Sequence, residues 1–162
     1  MRTLLSLFLL LVVGCTTKLP ELQNLSPVTI TVCKNGEPVE GVDVFLHPKE
    51  PLGIWGCRGR TNGNGVAVVT TTLREHYAAG ARPGTYSVVL IKEPELPSEL
   101  APVPVVPMGD ISKEAKARQA KRAVFLEKNR IIPAVFTVAK TTPITLVVQK
   151  KTPATLTVDV AN

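Results

Sequence analysis

Aromatic residues are scarce in this chain, 4% of 162 residues, with one tryptophan, two tyrosines and four phenylalanines. So few stacking platforms argue against nucleic acid as a partner. Cysteine is equally sparse. Three cysteines cannot build a disulfide scaffold in a chain of this length, and the odd count leaves one with a separate role. No apolar run after residue 15 is long enough to span a bilayer. The length allows one compact domain and excludes a multidomain enzyme. Lys and Arg number 19 against 13 acids, a formal charge of +6. That balance favours anionic surfaces but is spread too evenly to specify nucleic-acid binding, and solubility alone accounts for it.

The chain does carry a distinct N-terminal segment. Met1-Arg2-Thr3 is positive, Leu4 to Val13 is apolar except for Ser6, and Gly14-Cys15 closes the run. Its length and flanks are those of a secretory signal, too short for a permanent membrane helix. Val12-Val13-Gly14-Cys15 resembles the lipobox of bacterial lipoproteins, in which the cysteine is acylated and then becomes the first mature residue. The resemblance implies a signal peptide over residues 1–14, lipidation at Cys15 and a location in the bacterial cell envelope, at the outer membrane or the periplasmic face. Acyl chains would hold the protein at a membrane without a spanning helix. Residues 15–27, with Pro20 and Pro27, read as a tether, and the folded domain as residues 28–162.

Within that domain the dominant period is two. Val28-Thr29-Ile30-Thr31-Val32 alternates apolar and polar residues, as a strand with one buried face does. Asn35-Gly36 supplies the positive-φ pair of a tight hairpin turn. Val39, Val42, Val44 and Leu46 resume the pattern, with Gly41 predicting a bulge and Pro48 a stop. Residues 49–60 read as a loop leading into an extended approach to the turn Thr61-Asn62-Gly63-Asn64-Gly65. Strands are predicted over Val66–Thr72, Tyr86–Ile91, Ile144–Val148 and Thr155–Val160. Prolines 94, 97, 102, 104 and 107 impose an extended excursion, and a basic helix from a Ser112 cap to Lys128 completes an insertion at about 92–130. Short strands separated by Gly/Pro turns define an all-β sandwich.

Three segments together carry a further resemblance: Asn35-Gly36-Glu37-Pro38-Val39-Glu40-Gly41-Val42-Asp43-Val44, Thr61-Asn62-Gly63-Asn64-Gly65 and Pro83-Gly84-Thr85-Tyr86. In this order they resemble the carboxypeptidase regulatory-like domain of the transthyretin-like (prealbumin-like) superfold. The later Thr141–Val148 stretch is similar to the C-terminal part of small planctomycete-type lipoproteins. The resemblance implies a seven-stranded, Ig-like sandwich over about residues 28–91 and beyond. These motifs specify backbone geometry, so they speak to fold rather than to chemistry.

Candidate chemistry is thin. Hydroxyisourate hydrolases of this superfold use a first-strand histidine and a C-terminal Tyr-Arg-Gly-Ser, and neither pattern is present here. Intradiol dioxygenases hold iron with two tyrosines and two histidines. The chain has His47, His76, Tyr77 and Tyr86, but without the spacing that would assemble them. Cys33 and Cys57 lack zinc-site spacing. They form either a disulfide closing a loop of about 25 residues or a pair of buried free thiols. Trp55, in a Gly/Pro-rich loop with Leu52 and Ile54, either caps one end of the sandwich or stacks on a sugar ring. The helix, with Lys113, Lys116, Arg118, Lys121, Arg122 and Lys128, is a solvated face or a contact for anionic lipid or acidic polysaccharide. No catalytic set, metal or cofactor is expected. The partners expected are a membrane, through the N-terminal lipid, and an envelope protein or polysaccharide. The residues therefore point to a non-catalytic envelope interaction module, with a carbohydrate-binding module as the alternative.

Overall fold

A computed structural model describes residues 22–51, 53, 56–101 and 113–161. The signal segment, Cys15, Trp55 and the Ser112 cap lie outside the described residues. Ten strand segments form two sheets: β1 (Val28–Lys34), β2 (Glu37–Pro38), β3 (Asp43–Pro48), β4 (Cys57–Arg60), β5 (Val66–Val68), β6 (Thr70–Leu73), β7 (His76–Ala79), β8 (Gly84–Ile91), β9 (Thr145–Val148) and β10 (Ala154–Asp159). One sheet has four strands. β10 pairs in parallel with β1, while β2 and β5 share the other edge of β1. The second sheet has the order β7-β6-β4-β3-β8-β9, antiparallel throughout.

The two sheets enclose one apolar core. Val28, Ile30, Val32 and Val158 come from the first sheet, and Val44, Leu46, Tyr86, Val88, Leu90, Leu146 and Val148 from the second. The alternation along β1 is the cause: its apolar residues are buried while Thr29 and Thr31 are only partly so. The all-β sandwich is therefore as the sequence indicates, but it has ten strand segments among the described residues rather than seven.

The extra segments arise because the chain changes sheets mid-run. Residues 39–42, read as continuous strand with a bulge, instead carry the chain from β2 in the first sheet to β3 in the second. Thr61 fixes that crossing: its buried hydroxyl accepts from the Val42 amide at 2.8 Å and donates to the Val39 carbonyl at 2.7 Å. The predicted strand Val66–Thr72 likewise splits at Val69. Its amide donates to Val28 and its carbonyl accepts from Gly80, so β5 stays with β1 while β6 joins β4. β4, lying where a loop and an extended approach to the turn were expected, and β7 complete the second sheet.

Turns follow the sequence closely. Asn35 and Gly36 both have positive φ, and Lys34 faces Glu37 across them, the geometry of a two-residue hairpin loop. The Asn62 side chain accepts from the amides of Asn64 and Val66. Gly65 has φ +71, and a Cβ there would lie 2.6 Å from the Val32 carbonyl oxygen, so only glycine fits. The helix α1 runs Lys113–Lys128. It docks near the far end of β8 through the Arg122–Glu93 pair at 3.9 Å. Ile132 follows it into the core.

Candidate functional site

Strand alternation puts Val44 and Leu46 in the core, so Phe45 and His47 stand on the outer face of the six-stranded sheet. The register places Arg58 beside Phe45 and Thr70 beside Arg58 on that face, and pairs Thr72 with Tyr77. Phe45, Leu46, His47, Pro48, Gly56, Cys57, Arg58, Thr72 and Tyr86 line an open depression of about 460 Å³. Tyr77 is 66% exposed on the neighbouring edge strand. The depression thus offers a cation, an imidazole and a ring edge, the inventory of a polar binding surface. Periodicity alone makes these residues outward-facing. Their convergence depends on β4 and β7, which composition does not announce.

The lining residues Cys57 and Tyr86 are themselves buried. Cys57 is 4% exposed and sits 3.2 Å from Thr71 Oγ1. Thr71 donates its single hydroxyl proton to the Gly80 carbonyl at 2.6 Å, so the thiol is the donor toward Thr71. Burial pushes the Cys57 thiol up from its ordinary value. A thiol held protonated and covered is a poor nucleophile. Tyr86 is fully buried and donates to the Arg82 carbonyl at 2.8 Å, tying the start of β8 to the segment before it. Burial, reinforced by the neighbouring Cys57 and opposed by Arg82, pushes its phenol up to about 12. Both groups hold the fold together.

Of the two arrangements open to Cys33 and Cys57, the structure has the free thiols. On β1, Cys33 follows Val32, whose side chain is in the core, and so faces outward from the four-stranded sheet, whereas Cys57 faces the core from the six-stranded one. The two thiols belong to opposite sides of the sandwich wall and cannot meet without moving a strand.

The His/Tyr quartet is not brought together. His47 is on β3, Tyr86 is buried on β8, and His76 and Tyr77 are on β7, three strand positions from β3. At about 4.8 Å per strand that separation is roughly 14 Å, too far for one ion. No group of three or more His, Cys, Asp or Glu residues suited to a metal occurs among the described residues. Lys34 reaches the Ile131 carbonyl at 3.4 Å. On α1, Arg118 and Arg122 turn partly toward the domain, leaving Lys113, Lys116, Lys121 and Lys128 in solvent. No helix among the described residues is long and apolar enough to cross a membrane.

Comparison with known proteins adds no assignment. Scans of protein-family models, curated proteins and solved structures each return no match to this chain.

Proposed function

We propose that this chain is a non-catalytic, lipid-anchored lipoprotein of a bacterial cell envelope, whose carboxypeptidase regulatory-like sandwich serves as a structural or protein-interaction module. The observation that carries the reading is the N-terminal pattern. A positive start, a ten-residue apolar run and Val12-Val13-Gly14-Cys15 precede the folded domain by only a short polar stretch. The chemistry of the domain supports the second half. Its buried thiol and phenol are committed to the fold, and its polar outer face offers contacts without an activated nucleophile.

The test is the intact mass of the protein isolated from the membrane fraction of an expressing bacterium. The expected product begins at Cys15 and carries acyl chains, and Cys15→Ser abolishes both the acylation and the membrane association. An exported chain with an unmodified Cys15 overturns the reading. Crosslinking in intact envelopes then identifies the partner, and a domain that captures no envelope protein removes the interaction role.

A carbohydrate-binding role is the second reading, favoured by the exposed Tyr77 ring beside the depression lined by His47 and Arg58. Glycan-array binding lost in both Tyr77→Ala and Trp55→Ala would support it. Binding retained in both would eliminate it.

A further inference from the structure

We propose that the end of the sandwich from which the tether leaves rests on anionic phospholipid headgroups, so that the strands stand up from the bilayer rather than swinging free of it. The proposal rests on reading Cys15 as the acylated residue. Four parts of the chain meet at this end. Ser26 donates its amide to the Ala81 carbonyl at 2.8 Å and its hydroxyl to the Gln149 carbonyl at 2.6 Å. Ala154 donates to Pro27, and Lys49 to Thr85, each at 2.9 Å. The β6–β7 turn joins them, because β6 runs toward the same end as β3.

The described loops gathered there carry Lys49, Arg74, Arg82, Lys150 and Lys151 against Glu50 and Glu75. Lys49, Lys150 and Lys151 are exposed. The strand loops of the opposite end carry Glu37, Glu40, Asp43, Glu93 and Asp159 against Lys34, Arg60 and Lys92, and the basic helix α1 is fastened beside them through Arg122 and Glu93. All three of those cations have partners there, Arg60 the Asp43 carboxylate at 3.6 Å, Lys92 the Glu40 carbonyl and Lys34 the Ile131 carbonyl, while at the tether end Lys49 donates to the Thr145 hydroxyl at 2.9 Å. The strand-connecting loops are thus positive where the chain enters from the tether and negative at the other end, with the cations of α1 lying on that farther side.

Chain length makes that polarity effective. Seven residue steps separate Cys15 from Leu22, where the described structure begins, and a fully extended chain covers at most about 25 Å in that distance. Electrostatic attraction to a membrane fades over about 8 Å at physiological salt, so the tether holds the positive end within a few screening lengths of the surface. Each basic residue that reaches an anionic surface lengthens residence there roughly fivefold. The helix α1 is more basic still, but it is fastened at the other end through Arg122 and Glu93.

The experiment is amine acetylation, read lysine by lysine by mass spectrometry, on the full-length protein purified from membranes and reconstituted into vesicles. One set is pure phosphatidylcholine, and the other contains roughly one third phosphatidylglycerol. Lys49, Lys150 and Lys151 are expected to react severalfold more slowly in the anionic vesicles, with Lys34 and Lys92 unchanged. About 0.5 M salt, which shortens the screening length to a few ångströms, restores the rates. The double variant Lys150→Glu, Lys151→Glu still floats with both vesicles but loses the difference at Lys49. Equal rates at both ends, or protection of Lys116 and Lys121 on the helix instead, overturn the orientation while leaving the anchor intact. Failure to float with phosphatidylcholine vesicles overturns the anchor, and the orientation with it.

Discussion

The thiol of Cys57 donates to Thr71 Oγ1 at 3.2 Å, and Thr71 passes its own proton to the Gly80 carbonyl at 2.6 Å, linking β4, β6 and the segment after β7 through one buried chain. A hydroxyl is required at the middle position because it alone can accept and donate at once. Thr71→Val keeps the shape but breaks both contacts, and is expected to destabilise the fold by about 1–3 kcal/mol. Thr71→Ser, which keeps the hydroxyl, should cost less. Denaturant unfolding of the two variants checks the order.

Because Cys33 and Cys57 face opposite sides of their sheets and are free, a reductant should leave the thermal midpoint unchanged. Thiol titration of the folded protein should find Cys33 reactive and Cys57 silent until the chain unfolds. A reductant that lowers the midpoint would show a disulfide in their place.

The Tyr86 phenol makes stability fall at alkaline pH. Its ionisation lies at about 12 in the folded protein, against about 10 in an unfolded chain. Below pH 10 both states hold the proton and stability is unaffected by this group. Between 10 and 12 the unfolded chain loses its proton first, so stability falls by roughly 2–3 kcal/mol across that window. Tyr86→Phe removes the bond to the Arg82 carbonyl and should cost about 1–2 kcal/mol at neutral pH. The alkaline decline should flatten in the same variant, measured as midpoint against pH.

Local chemistry made some of this legible in the sequence. Asn35-Gly36 and Thr61-Asn62-Gly63-Asn64-Gly65 are turns because their backbone requirements are met within a few residues. The faces of β1 and β3 follow from alternation for the same reason. The sheet changes at residues 39–42 and at Val69 were not legible, since a strand keeps its period when it leaves one sheet for another and only the distant partner changes. The strand Cys57-Arg58-Gly59-Arg60 was legible only as an extended approach to the turn, because its apolar content is a single cysteine. The depression on the outer face inherits that difficulty, as Arg58 joins Phe45 and His47 only once β4 is placed.

Asp159 on β10 closes the first hairpin across 124 residues of sequence. Its carboxylate accepts from the Asn35 amide at 3.0 Å and the Gly36 amide at 3.1 Å, and also from Ala161 at 3.0 Å. Asp159→Ala should leave the turn formed, because the Asn-Gly pair needs no outside help to adopt it. It should nonetheless raise hydrogen exchange at the Asn35 and Gly36 amides roughly tenfold. Exchange at the Ile30 amide, in the middle of β1, should change little.

At Gly59 the two sheets are in tight contact beside the crossing. It lies on the core side of β4, and a Cβ there would sit 2.8 Å from the Val68 carbonyl oxygen and 3.3 Å from the Ala67 side chain. Val68 is the last residue before the chain leaves β5 for β6, and Val69 is pinned on both sides by Val28 and Gly80. The backbone that would have to yield is therefore already tied. Gly59→Ala should destabilise by about 1–3 kcal/mol through this overlap alone, although alanine suits strand backbone better than glycine does. Gly63→Ala, where no atom lies within 4 Å of the added carbon, is the matched control and should be close to neutral. If both variants unfold at the same denaturant concentration, the sheets do not meet at Gly59 as described.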